Sequence, residues 1–374
     1  MLKIGVIGYG KRINTIANLL TESGECEIHS IADIDTERVK SRFPHLSPNI
    51  KYYNDLEQML DCEKLDGVLV GTRCSSHANY ACKVARVGLP LFLEKPVCTT
   101  YKDLESLKAL KDIDKKTVVS FPLRTSLIVE RVKEIYESGR IGKLSQIQSA
   151  NNVPYGANYY HKWYRDAGET GGMFLQKATH DLDFIRYITS LKPKRVAAIK
   201  SKQIFIGDKP AGLRCKDCPE VDTCPETPKV TAAKIDTEIY DYCSFARDVT
   251  IEDSGSVLVE FEGGVHCAYT QNFVVRNDAK KRGARLIGYK ATLEFDFYTA
   301  EIRIIDHGTG EVELIKVGND GSHFGGDKFL ATSFIEIMKN GTPSPSTLTD
   351  GIVSAEMCLA ATLSANEHIF VEIE

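Results

Sequence analysis

The segment FLEKPVCTT, residues 92 to 100, places an acid, a base and a proline side by side after an apolar run. The run GLPLFL is typical of a buried strand, so Glu94 and Lys95 come where that strand ends. Acidic and basic side chains are the groups that move protons in enzymes. A surface lysine that pairs with Glu94 is the alternative, but the apolar surroundings and the fixed backbone of Pro96 favour a functional position.

The segment GGMFLQKATHDLDFIRYI contains a second group that can move a proton. Gln176 and His180 are four residues apart and share one face of a predicted helix. Histidine has an unperturbed pKa of about 6.5, which suits a general base, whereas glutamine forms hydrogen bonds but cannot ionise. A histidine that is simply hydrogen-bonded within its helix is the alternative. The apolar stripe that predicts this helix comprises Phe174, Leu175, Ala178, Leu182, Ile185 and Ile188.

The elements around Lys95 alternate between short apolar runs and amphipathic stretches. The runs KIGVIG, EIHSIAD, IKYY, DGVLVGT, LPLFLEK and TVVSF lie within residues 1 to 121, with helix-like segments between them. Such alternation indicates an α/β fold with a parallel sheet covered on both faces, the doubly wound Rossmann pattern. Ligands bind such sheets beyond the carboxyl ends of the strands, so we expect Lys95 where a nicotinamide ring and a substrate meet.

The turn after the first strand reads GYGKRI, with two glycines in a dinucleotide-binding arrangement. Gly8 permits a tight turn, and Gly10 lets a pyrophosphate approach the first N–H groups of a helix. Ile13 stands where a third glycine is usual, which predicts slightly looser packing of the helix on the sheet. We expect nucleotide contacts from Gly8, Tyr9, Gly10, Lys11 and Arg12.

The second strand ends in IADID, and its Asp33 follows the glycine turn at the spacing of a ribose-binding acid. An acid at this place binds the ribose hydroxyls of the adenosine and repels a 2′-phosphate. The sequence therefore favours NAD over NADP. The alternative for Asp33 is the N-cap of the next helix, but Asp35 or Thr36 fits that role better by position.

In the order and spacing of these motifs the chain resembles the Gfo/Idh/MocA oxidoreductases, a family named for glucose–fructose oxidoreductase and inositol dehydrogenase. The hallmark of the family is Glu-Lys-Pro after the fifth strand, as at residues 94 to 96. GTRCSSH, which ends at His77, resembles the family's Thr-Pro-Asn-x-x-His turn, with Arg73 and Cys74 in place of the proline and the asparagine. HFGGD, residues 323 to 327, matches a glycine-rich turn of the same branch, and the likeness runs over nearly the whole chain.

The resemblance implies a role for each candidate residue. Lys95 would hydrogen-bond the reacting hydroxyl, relay its proton and stabilise a developing alkoxide, while Glu94 would orient the lysine or touch the nicotinamide. His180 would be the general base, although the family commonly has Asp where this chain has Gln176; a branch with Gln-Lys or Glu-Lys keeps the histidine. Further implied cofactor contacts are Thr72, Arg73 and His77. The expected substrate contacts are Gln176, Arg124, Tyr159 and Trp163, the last of which fits core packing about equally well.

Residues 122 to 374 are predicted to form an α+β domain that binds substrate and mediates oligomerisation. Alternating strands with turn signals such as EGG and HGTG predict a large, mostly antiparallel sheet with one face packed on helices. An insert, LRCKDCPEVDTCPETPK, brings Cys215, Cys218 and Cys224 together, and Cys243 follows in YDYCSF. Four cysteines in this region are compatible with a tetrahedral structural zinc site, although their spacing is not that of a standard zinc finger, and free thiols or a redox-labile pair are the alternatives.

Composition argues against several other classes of protein. The 374 residues are 43% hydrophobic and 26% charged, with a net charge of −4 and no basic tract that would indicate a nucleic-acid partner. No apolar run approaches the roughly 20 residues of a spanning helix, and the N-terminal strand leads into glycines rather than a cleavage site. We expect a cytoplasmic protein with reduced cysteines and no membrane partner and, from the resemblance, a homodimer or homotetramer.

The favoured function is an NAD-dependent oxidoreductase that transfers a hydride between nicotinamide and a carbinol carbon of a sugar, cyclitol or sugar derivative. An NAD-retaining glycosidase or epimerase, acting through a transient keto-sugar, is the alternative because Gln176 replaces the usual carboxylate. A non-catalytic nucleotide-binding regulator is a further alternative, which would have no need of both Lys95 and His180. A purely structural protein is disfavoured by the intact nucleotide turn.

Overall fold

The chain folds into two compact units in a computed structural model that describes residues 1–227, 242–318 and 322–374. One unit comprises residues 1–130 and 319–356, and the other comprises residues 131–318 and 357–374. The sequence predicted a continuous division between residues 121 and 122, whereas the structure places a C-terminal segment in the first unit. Local patterns reveal which elements form, but not which distant segment completes a core.

The helices and strands follow one another as the alternating runs predict. The helices are α1 (Lys11–Glu22), α2 (Thr36–Arg42), α3 (Leu56–Cys62), α4 (His77–Arg86), α5 (Tyr101–Lys108), α6 (Leu127–Glu137), α7 (Ala157–Tyr160), α8 (Ala167–Thr170), α9 (Thr179–Thr189), α10 (Gly326–Asn340) and α11 (Leu348–Glu367). The strands are β1 (Leu2–Ile7), β2 (Cys26–Ala32), β3 (Lys51–Tyr53), β4 (Gly67–Val70), β5 (Leu91–Leu93), β6 (Thr117–Val119), β7 (Leu144–Asn152), β8 (Pro193–Ser201), β9 (Ser254–Phe261), β10 (His266–Asn272), β11 (Lys281–Gly288), β12 (Ala291–Asp296), β13 (Glu301–Asp306), β14 (Val312–Lys316) and β15 (Val371–Glu372). In the described part of the chain, none of these helices is both long and apolar enough to cross a membrane.

The first unit contains a six-stranded sheet in the order β3-β2-β1-β4-β5-β6. Neighbouring strands are parallel throughout, and each arises from one of the six predicted apolar runs, which confirms the Rossmann pattern. The chain reverses its direction of winding between β1 and β4. That edge of the sheet is therefore the place where a dinucleotide binds in this fold.

Side-chain caps explain where two of the helices in this unit begin. Asp35 accepts a hydrogen bond from the Arg38 backbone N–H and caps α2, as its position predicts, and Asp55 caps α3 in the same way. Helix α1 differs because Gly10 occupies its N-cap, without any side-chain cap. Its first N–H groups are thus oriented to hold an anion.

Helix α10 completes the core of the first unit from far along the chain. Phe334 packs edge-to-face on Phe92 of β5 with ring centroids 5.8 Å apart. Met338 covers Gly67 at the start of β4, where a Cβ would lie 2.5 Å from the methionine sulfur. This packing buries apolar surface that residues 1–121 alone would leave exposed.

The second unit contains a nine-stranded sheet in the order β14-β13-β12-β11-β7-β10-β9-β8-β15. The β7–β10 pair is parallel and the other neighbouring pairs are antiparallel, which confirms the mostly antiparallel prediction. Helix α9 packs through Phe184, whose ring meets Phe295 and Phe297 at centroid distances of 5.7 and 5.5 Å. The sequence did not predict β8 and β15.

Candidate active site

The turn between β1 and α1 has the shape that a pyrophosphate requires. Gly8 has a φ of 75°, and a Cβ there would lie 2.8 Å from the Cα of Thr72, so only glycine fits. A Cβ on Gly10 would meet no atom within 4 Å, which leaves open space at the start of α1. These residues fit a dinucleotide whose pyrophosphate is held by the backbone N–H groups at the start of α1.

The missing third glycine is compensated from the opposite side of the interface. Ile13 is fully buried, and Gly71, just beyond β4, faces it. A Cβ on Gly71 would lie 2.8 Å from the Cβ of Ile13 and 2.9 Å from its Cγ1 and Cδ1 atoms. The expectation of looser packing was therefore wrong, because the glycine that lets α1 approach the sheet lies just beyond β4 rather than in α1.

Asp33 is held rigidly at the end of β2. Its carboxylate accepts hydrogen bonds from the backbone N–H groups of Tyr9 at 2.9 Å and Asp35 at 3.0 Å. Arg38 places a guanidinium nitrogen 3.3 Å away. The Tyr9 ring points into the core, where it packs edge-to-face on Phe43. Asp33 thus lies where a ribose-binding acid belongs, whereas the Tyr9 backbone N–H is bound to Asp33 and the Tyr9 ring is buried in the core.

Arg12 joins four parts of the first unit. Its guanidinium binds Glu94 at 2.9 Å and both oxygens of Asp327 at 2.8 and 2.6 Å, and it donates to the Ser120 hydroxyl at 2.8 Å. His323 in turn contacts Asp327 at 2.7 Å. Burial works against the charge on Arg12, but the two carboxylates outweigh it and raise the arginine pKa above its usual range. Arg12, predicted as a nucleotide contact, thus holds Glu94 in place at the end of β5.

Lys95 follows Glu94 directly and is half-buried. Beside it, His77 is 1% exposed and lies with Nδ1 2.7 Å from the Pro96 carbonyl oxygen and Nε2 3.2 Å from that of Thr72. Burial lowers the pKa of His77 despite these carbonyls. His77, predicted as a cofactor contact, ties the loops after β4 and β5 together and so positions Lys95. The predicted contacts Thr72 and Arg73 lie beyond the same end of β4, half-buried and exposed respectively.

Arg124 has a structural environment. It is 2% exposed and donates to the Pro345 carbonyl at 3.1 Å and to Asp350 at 2.7 Å. Its guanidinium also lies 5.7 Å from the ring centroid of Phe121. These contacts join the end of β6 to the start of α11 and argue against the substrate contact that the sequence suggested.

In the second unit, a single π-helical turn, Phe174–Ala178, precedes α9. The predicted apolar stripe is buried throughout. Gln176 and His180 are 3% and 8% exposed, and Gln176 reaches the Thr170 carbonyl at a long 3.5 Å. A π-turn inserts one extra residue and often marks a functional site. Spacing alone could not predict it, because the same stripe fits an uninterrupted helix.

Asp181, beside His180, anchors a buried polar network. It accepts hydrogen bonds from Asn151 at 2.7 Å, Tyr269 at 2.9 Å and Arg282 at 2.8 Å. Burial works against the charge on Arg282, but Asp181 outweighs it and raises the pKa of the arginine. Burial and the nearby charge of Asp181 raise the pKa of Tyr269 well above its usual value. This network fixes the first turn of α9 and with it the backbone of His180.

Lys177 lies among aromatic side chains. Its ammonium is 2.8 Å from the Tyr155 hydroxyl, 4.7 Å from the Tyr155 ring centroid and 5.1 Å from that of Tyr159. Tyr159 also packs edge-to-face on Tyr164, and Trp163 stacks on Tyr164 with ring centroids 3.9 Å apart. The predicted contacts Tyr159 and Trp163 therefore belong to one aromatic cluster in the second unit.

The four cysteines in and after the insert lie within the described residues and are thiols rather than disulfides. The Cys215 sulfur lies 3.6 Å from the Tyr242 carbonyl and 3.8 Å from His161 Nδ1. Burial, with smaller contributions from the neighbouring thiols of Cys243, Cys224 and Cys218, raises the pKa of Cys215 to about 12. Within residues 1–227, 242–318 and 322–374, no group of three or more His, Cys, Asp or Glu side chains is arranged to hold a metal ion. The structure gives the predicted zinc site no support.

Sequence reasoning assigned no role to several residues of these networks. Asp327 and His323 were visible only as part of a glycine-rich turn, and Lys177 as a neighbour of Gln176. A structural role for Asp181 could have been predicted from the sequence, because an acid in the first turn of a helix stabilises the helix N-terminus. The remaining partners, Arg282 and Tyr269, lie on strands and could be found only once the sheet register was known.

Comparison with known proteins agrees with this architecture. Residues 2–121 match the family model described as "Oxidoreductase family, NAD-binding Rossmann fold", and residues 129–294 match the GFO/IDH/MocA C-terminal domain. The chain is 25% identical over 351 residues to YteT of Bacillus subtilis (strain 168), whose name describes it as an oxidoreductase, with 81% of each chain covered.

Two further proteins are similar. Myo-inositol 2-dehydrogenase of Thermotoga maritima is 28% identical over 201 residues, which cover 53% of this chain and 58% of that protein. A solved structure of levoglucosan dehydrogenase in complex with NADH and levoglucosan superposes with a TM-score of 0.76 at 18% identity, with 99% of each chain covered. Because two family models together span most of the chain, the protein belongs to the Gfo/Idh/MocA oxidoreductases, a family with an NAD-binding Rossmann domain.

Proposed function

We propose that the protein is an NAD-dependent dehydrogenase that acts on a carbinol carbon of a sugar, cyclitol or sugar derivative. The observation that carries this proposal is the loop after β5. There Glu94, fixed by Arg12, and the half-buried Lys95 lie at the ligand-binding edge of a Rossmann sheet. A module that only binds nucleotide has no need of a positioned lysine at this edge.

NAD, when bound, supplies the hydride acceptor of the reaction. Asp33 holds the adenosine ribose, and the N–H groups at the start of α1 hold the pyrophosphate. Lys95 donates a hydrogen bond to the substrate hydroxyl and stabilises the developing alkoxide. His180 accepts the hydroxyl proton, and Gln176 hydrogen-bonds a further hydroxyl of the substrate. Glu94 keeps the lysine oriented.

The substrate class follows from the aromatic cluster of the second unit and from the relatives. Tyr155, which is 43% exposed, and Tyr159 provide ring faces, and Lys177 lies beside them as a cation. Ring faces contact the C–H surface of a polyol while polar side chains bind its hydroxyls. The inositol and levoglucosan dehydrogenases act on polyhydroxylated rings, according to their names, and a compound of this kind suits the surface here.

Substitution of Lys95 tests the proposal. Sugars, anhydrosugars, inositols, glycosides and sugar acids are screened with NAD while NADH absorbance is followed. For the best substrate, Lys95→Ala should lower kcat by about 10²- to 10⁴-fold, the range typical of a proton-transferring group. Calorimetry should show NAD affinity within about threefold of the parent protein, a difference below 1 kcal/mol. Lys102→Ala, which removes an exposed lysine from α5 of the same unit, is the matched control.

Two outcomes would contradict the proposed chemistry. Undiminished turnover in Lys95→Ala would remove the lysine from the mechanism. Cleavage or epimerisation of a glycoside without net NADH release would favour the redox-neutral alternative that Gln176 keeps open. His180→Asn, assayed in the same way, tests separately whether His180 is the general base.

A homodimer or homotetramer is part of the proposal. Ile199 on β8 and Leu258 on β9 are 73% and 50% exposed on one face of the nine-stranded sheet. Exposed apolar side chains grouped on a sheet face are typical of an interface. Light scattering coupled to size-exclusion chromatography measures the mass of the particle, and a monomer at micromolar concentration would contradict this expectation. The cytoplasmic location predicted from the sequence is tested by cell fractionation.

A further inference from the structure

Lys177, in the second unit, is a buried cation that has no acid beside it. The residue is 7% exposed, and its ammonium donates a hydrogen bond to the Tyr155 hydroxyl at 2.8 Å. Among the residues that the structure describes, no carboxylate oxygen lies within 4 Å of this ammonium. The comparably buried cations Arg124, Arg165 and Arg282 bind carboxylates at 2.7, 2.6 and 2.8 Å. A buried charge without a counterion is unfavourable, so the environment of Lys177 is suited to an anion.

The aromatic rings beside Lys177 stabilise its charge only in part. The ammonium lies 4.7 Å from the Tyr155 ring centroid and 5.1 Å from that of Tyr159, and ring faces attract a cation. An ammonium carries three N–H groups, however, and the Tyr155 hydroxyl accepts a hydrogen bond from one of them. Within the described part of the chain, the other two have no acceptor. They are available to the oxygens of a bound ligand.

Further unused hydrogen-bonding groups belong to the same cluster. Arg282 binds Asp181 through Nε, but its Nη2 atom is buried and has no hydrogen-bond partner among the described residues. Burial raises the pKa values of Tyr159 and Tyr298, and the positive charge of Arg282 opposes both rises, so the guanidinium lies near these two rings. The hydroxyls of both tyrosines also form no hydrogen bond to any residue that the structure describes. The cluster that contains Lys177 is therefore rich in unused donors.

The acids near this cluster are already engaged with other groups. Asp181 accepts three hydrogen bonds, one of them from a guanidinium. Asp296, which lies near the Tyr298 ring, accepts hydrogen bonds from the backbone N–H groups of Tyr298 and Thr299 at 2.7 and 3.3 Å. Neither acid contacts Lys177. The charge of this lysine is thus left for a ligand to balance.

The turn that carries Tyr155 and Tyr159 is held against the core. A Cβ on Gly156 would lie 2.1 Å from the carbonyl oxygen of Phe273, so only glycine allows this close approach. The Tyr159 ring packs edge-to-face on the Phe273 ring with centroids 6.0 Å apart. Tyr155 is 43% exposed, so solvent reaches the side chain that contacts the ammonium. The rings and the lysine are therefore ordered before any ligand binds, which favours binding because little conformational entropy remains to be lost.

We propose that Lys177 binds a carboxylate of the substrate, so that the protein acts on sugar acids in preference to neutral sugars and cyclitols. This inference rests on the dehydrogenase function proposed above and narrows its substrate class. Lys177 directly follows Gln176 and precedes His180 by three residues, so all three belong to one short segment of proposed site residues. The carboxylate does not react. It anchors the ring while the hydride leaves a carbinol carbon elsewhere on the molecule.

The charge of the site favours a carboxylate over a phosphate. Lys177 contributes one unbalanced positive charge, which matches the single negative charge of a carboxylate. A phosphate monoester carries close to two negative charges at neutral pH. Proteins commonly hold phosphates with paired N–H groups of arginines or at helix N-termini, whereas the guanidinium of Arg282 is already bound to Asp181. A phosphorylated sugar is therefore a competing outcome for experiment rather than the expected substrate.

The first test compares sugar acids with their neutral counterparts in the NADH screen. D-Glucuronate is paired with D-glucose and D-galacturonate with D-galactose, and glucose 6-phosphate represents the phosphorylated sugars. We expect a sugar acid to have the highest kcat/KM of all compounds in the screen, about tenfold or more above its neutral counterpart, as a hydrogen bond to a charged group provides. A neutral or phosphorylated compound with the highest kcat/KM would overturn the proposal.

The second test removes the charge of Lys177. Lys177→Met keeps an unbranched apolar side chain and should lower the ratio of kcat/KM for the acid to kcat/KM for its neutral counterpart by about 10- to 100-fold. Lys143→Met, at an exposed lysine of the same unit, is the matched control and should leave this ratio within about twofold of the parent protein. An unchanged ratio in Lys177→Met would overturn the proposal, even if both substrates were turned over more slowly.

A third measurement separates binding from folding. In calorimetry with the NADH-bound protein, the Kd of the preferred sugar acid should rise about 10- to 100-fold in Lys177→Met. The urea midpoint of this variant should not fall, because methionine replaces an ammonium that has no acid partner among the described residues. A lower midpoint together with unchanged affinity for the acid would show that the lysine serves the fold, and would overturn the proposal.

Failure of the two proposals can be told apart. If the parent protein reduces NAD with no compound in the screen, the dehydrogenase function fails, and the substrate class fails with it. If the parent protein oxidises neutral rings best and Lys95→Ala abolishes that activity, the dehydrogenase function stands and only the role of Lys177 fails.

Discussion

Replacing Gly71 with alanine tests whether the closeness of α1 to β4 depends on this glycine. The added Cβ would lie 2.8 Å from the Cβ of Ile13, well inside the roughly 3.5–4.0 Å of a normal carbon contact. Because Ile13 is fully buried, the surrounding core leaves it no room to move away from the added methyl group. Overpacking of this kind costs about 1–3 kcal/mol. We expect the free energy of unfolding to fall by that amount. NAD should also bind more weakly, because α1 carries the pyrophosphate site.

A double variant makes this expectation sharper. Ile13→Gly alone removes a buried side chain and weakens a helix, at a cost of about 3–5 kcal/mol. Combined with Gly71→Ala, it moves the glycine from the residue after β4 to α1, where dinucleotide-binding turns usually have it. The methyl group then occupies vacated space, so the double variant should be more stable than the sum of the single variants predicts, by about 1 kcal/mol or more.

Urea denaturation followed by far-UV circular dichroism measures the free energies, and calorimetry measures NAD affinity. Gly10→Ala is the control, since a Cβ there meets no protein atom within 4 Å. Its stability should stay within about 1 kcal/mol of the parent protein, because the N-cap already lacks a side-chain cap. Its NAD affinity should fall, because the methyl group fills the cofactor's space. Additivity of Ile13→Gly and Gly71→Ala within about 0.5 kcal/mol would refute the reasoning.

Three further variants probe other contacts. Asp181→Asn removes the carboxylate from the buried guanidinium of Arg282 and should lower the free energy of unfolding by about 3–5 kcal/mol in urea denaturation; a loss below 1 kcal/mol would contradict the buried ion pair. Burial lowers the pKa of His161 from 6.5 to about 4, so across that window the unfolded chain binds a proton that the folded chain does not. Stability should therefore fall as pH decreases, by about 3 kcal/mol in total, and His161→Gln should flatten the slope. Asp33→Asn removes the repulsion of a 2′-phosphate and leaves Arg38 beside it, so the ratio of NADP to NAD affinity should rise about tenfold or more in calorimetry, whereas an unchanged ratio would remove Asp33 from cofactor selection.

The sequence predicts most of the first unit because its signals are local. Each of the six strands comes from a short run in the sequence, and the carboxyl ends of β2 and β5 are marked by the acids Asp33 and Glu94. The N-cap of α2 could be assigned to Asp35 by position alone. Where a motif departed from its pattern, as at Ile13, the sequence revealed the departure but not the compensation at Gly71.

Contacts between distant residues could not be predicted in the same way. Arg12 binds Glu94 and Asp327, which lie 82 and 315 residues further along the chain. The sequence near Arg12 does not indicate whether its guanidinium binds a phosphate or carboxylates. The π-turn before α9 is hidden for a different reason, because an apolar stripe tolerates one inserted residue without losing its buried face.

The discontinuity of the first unit has a consequence for its biosynthesis. A ribosome synthesises β5 long before α10, so the ring of Phe92 lacks its partner Phe334 while residues 131–318 of the second unit are made. Exposed apolar surface of this kind recruits chaperones and promotes aggregation. A recombinant fragment that stops at residue 121 should therefore precipitate or bind hydrophobic dyes, and addition of a peptide with the sequence of α10 should restore its solubility.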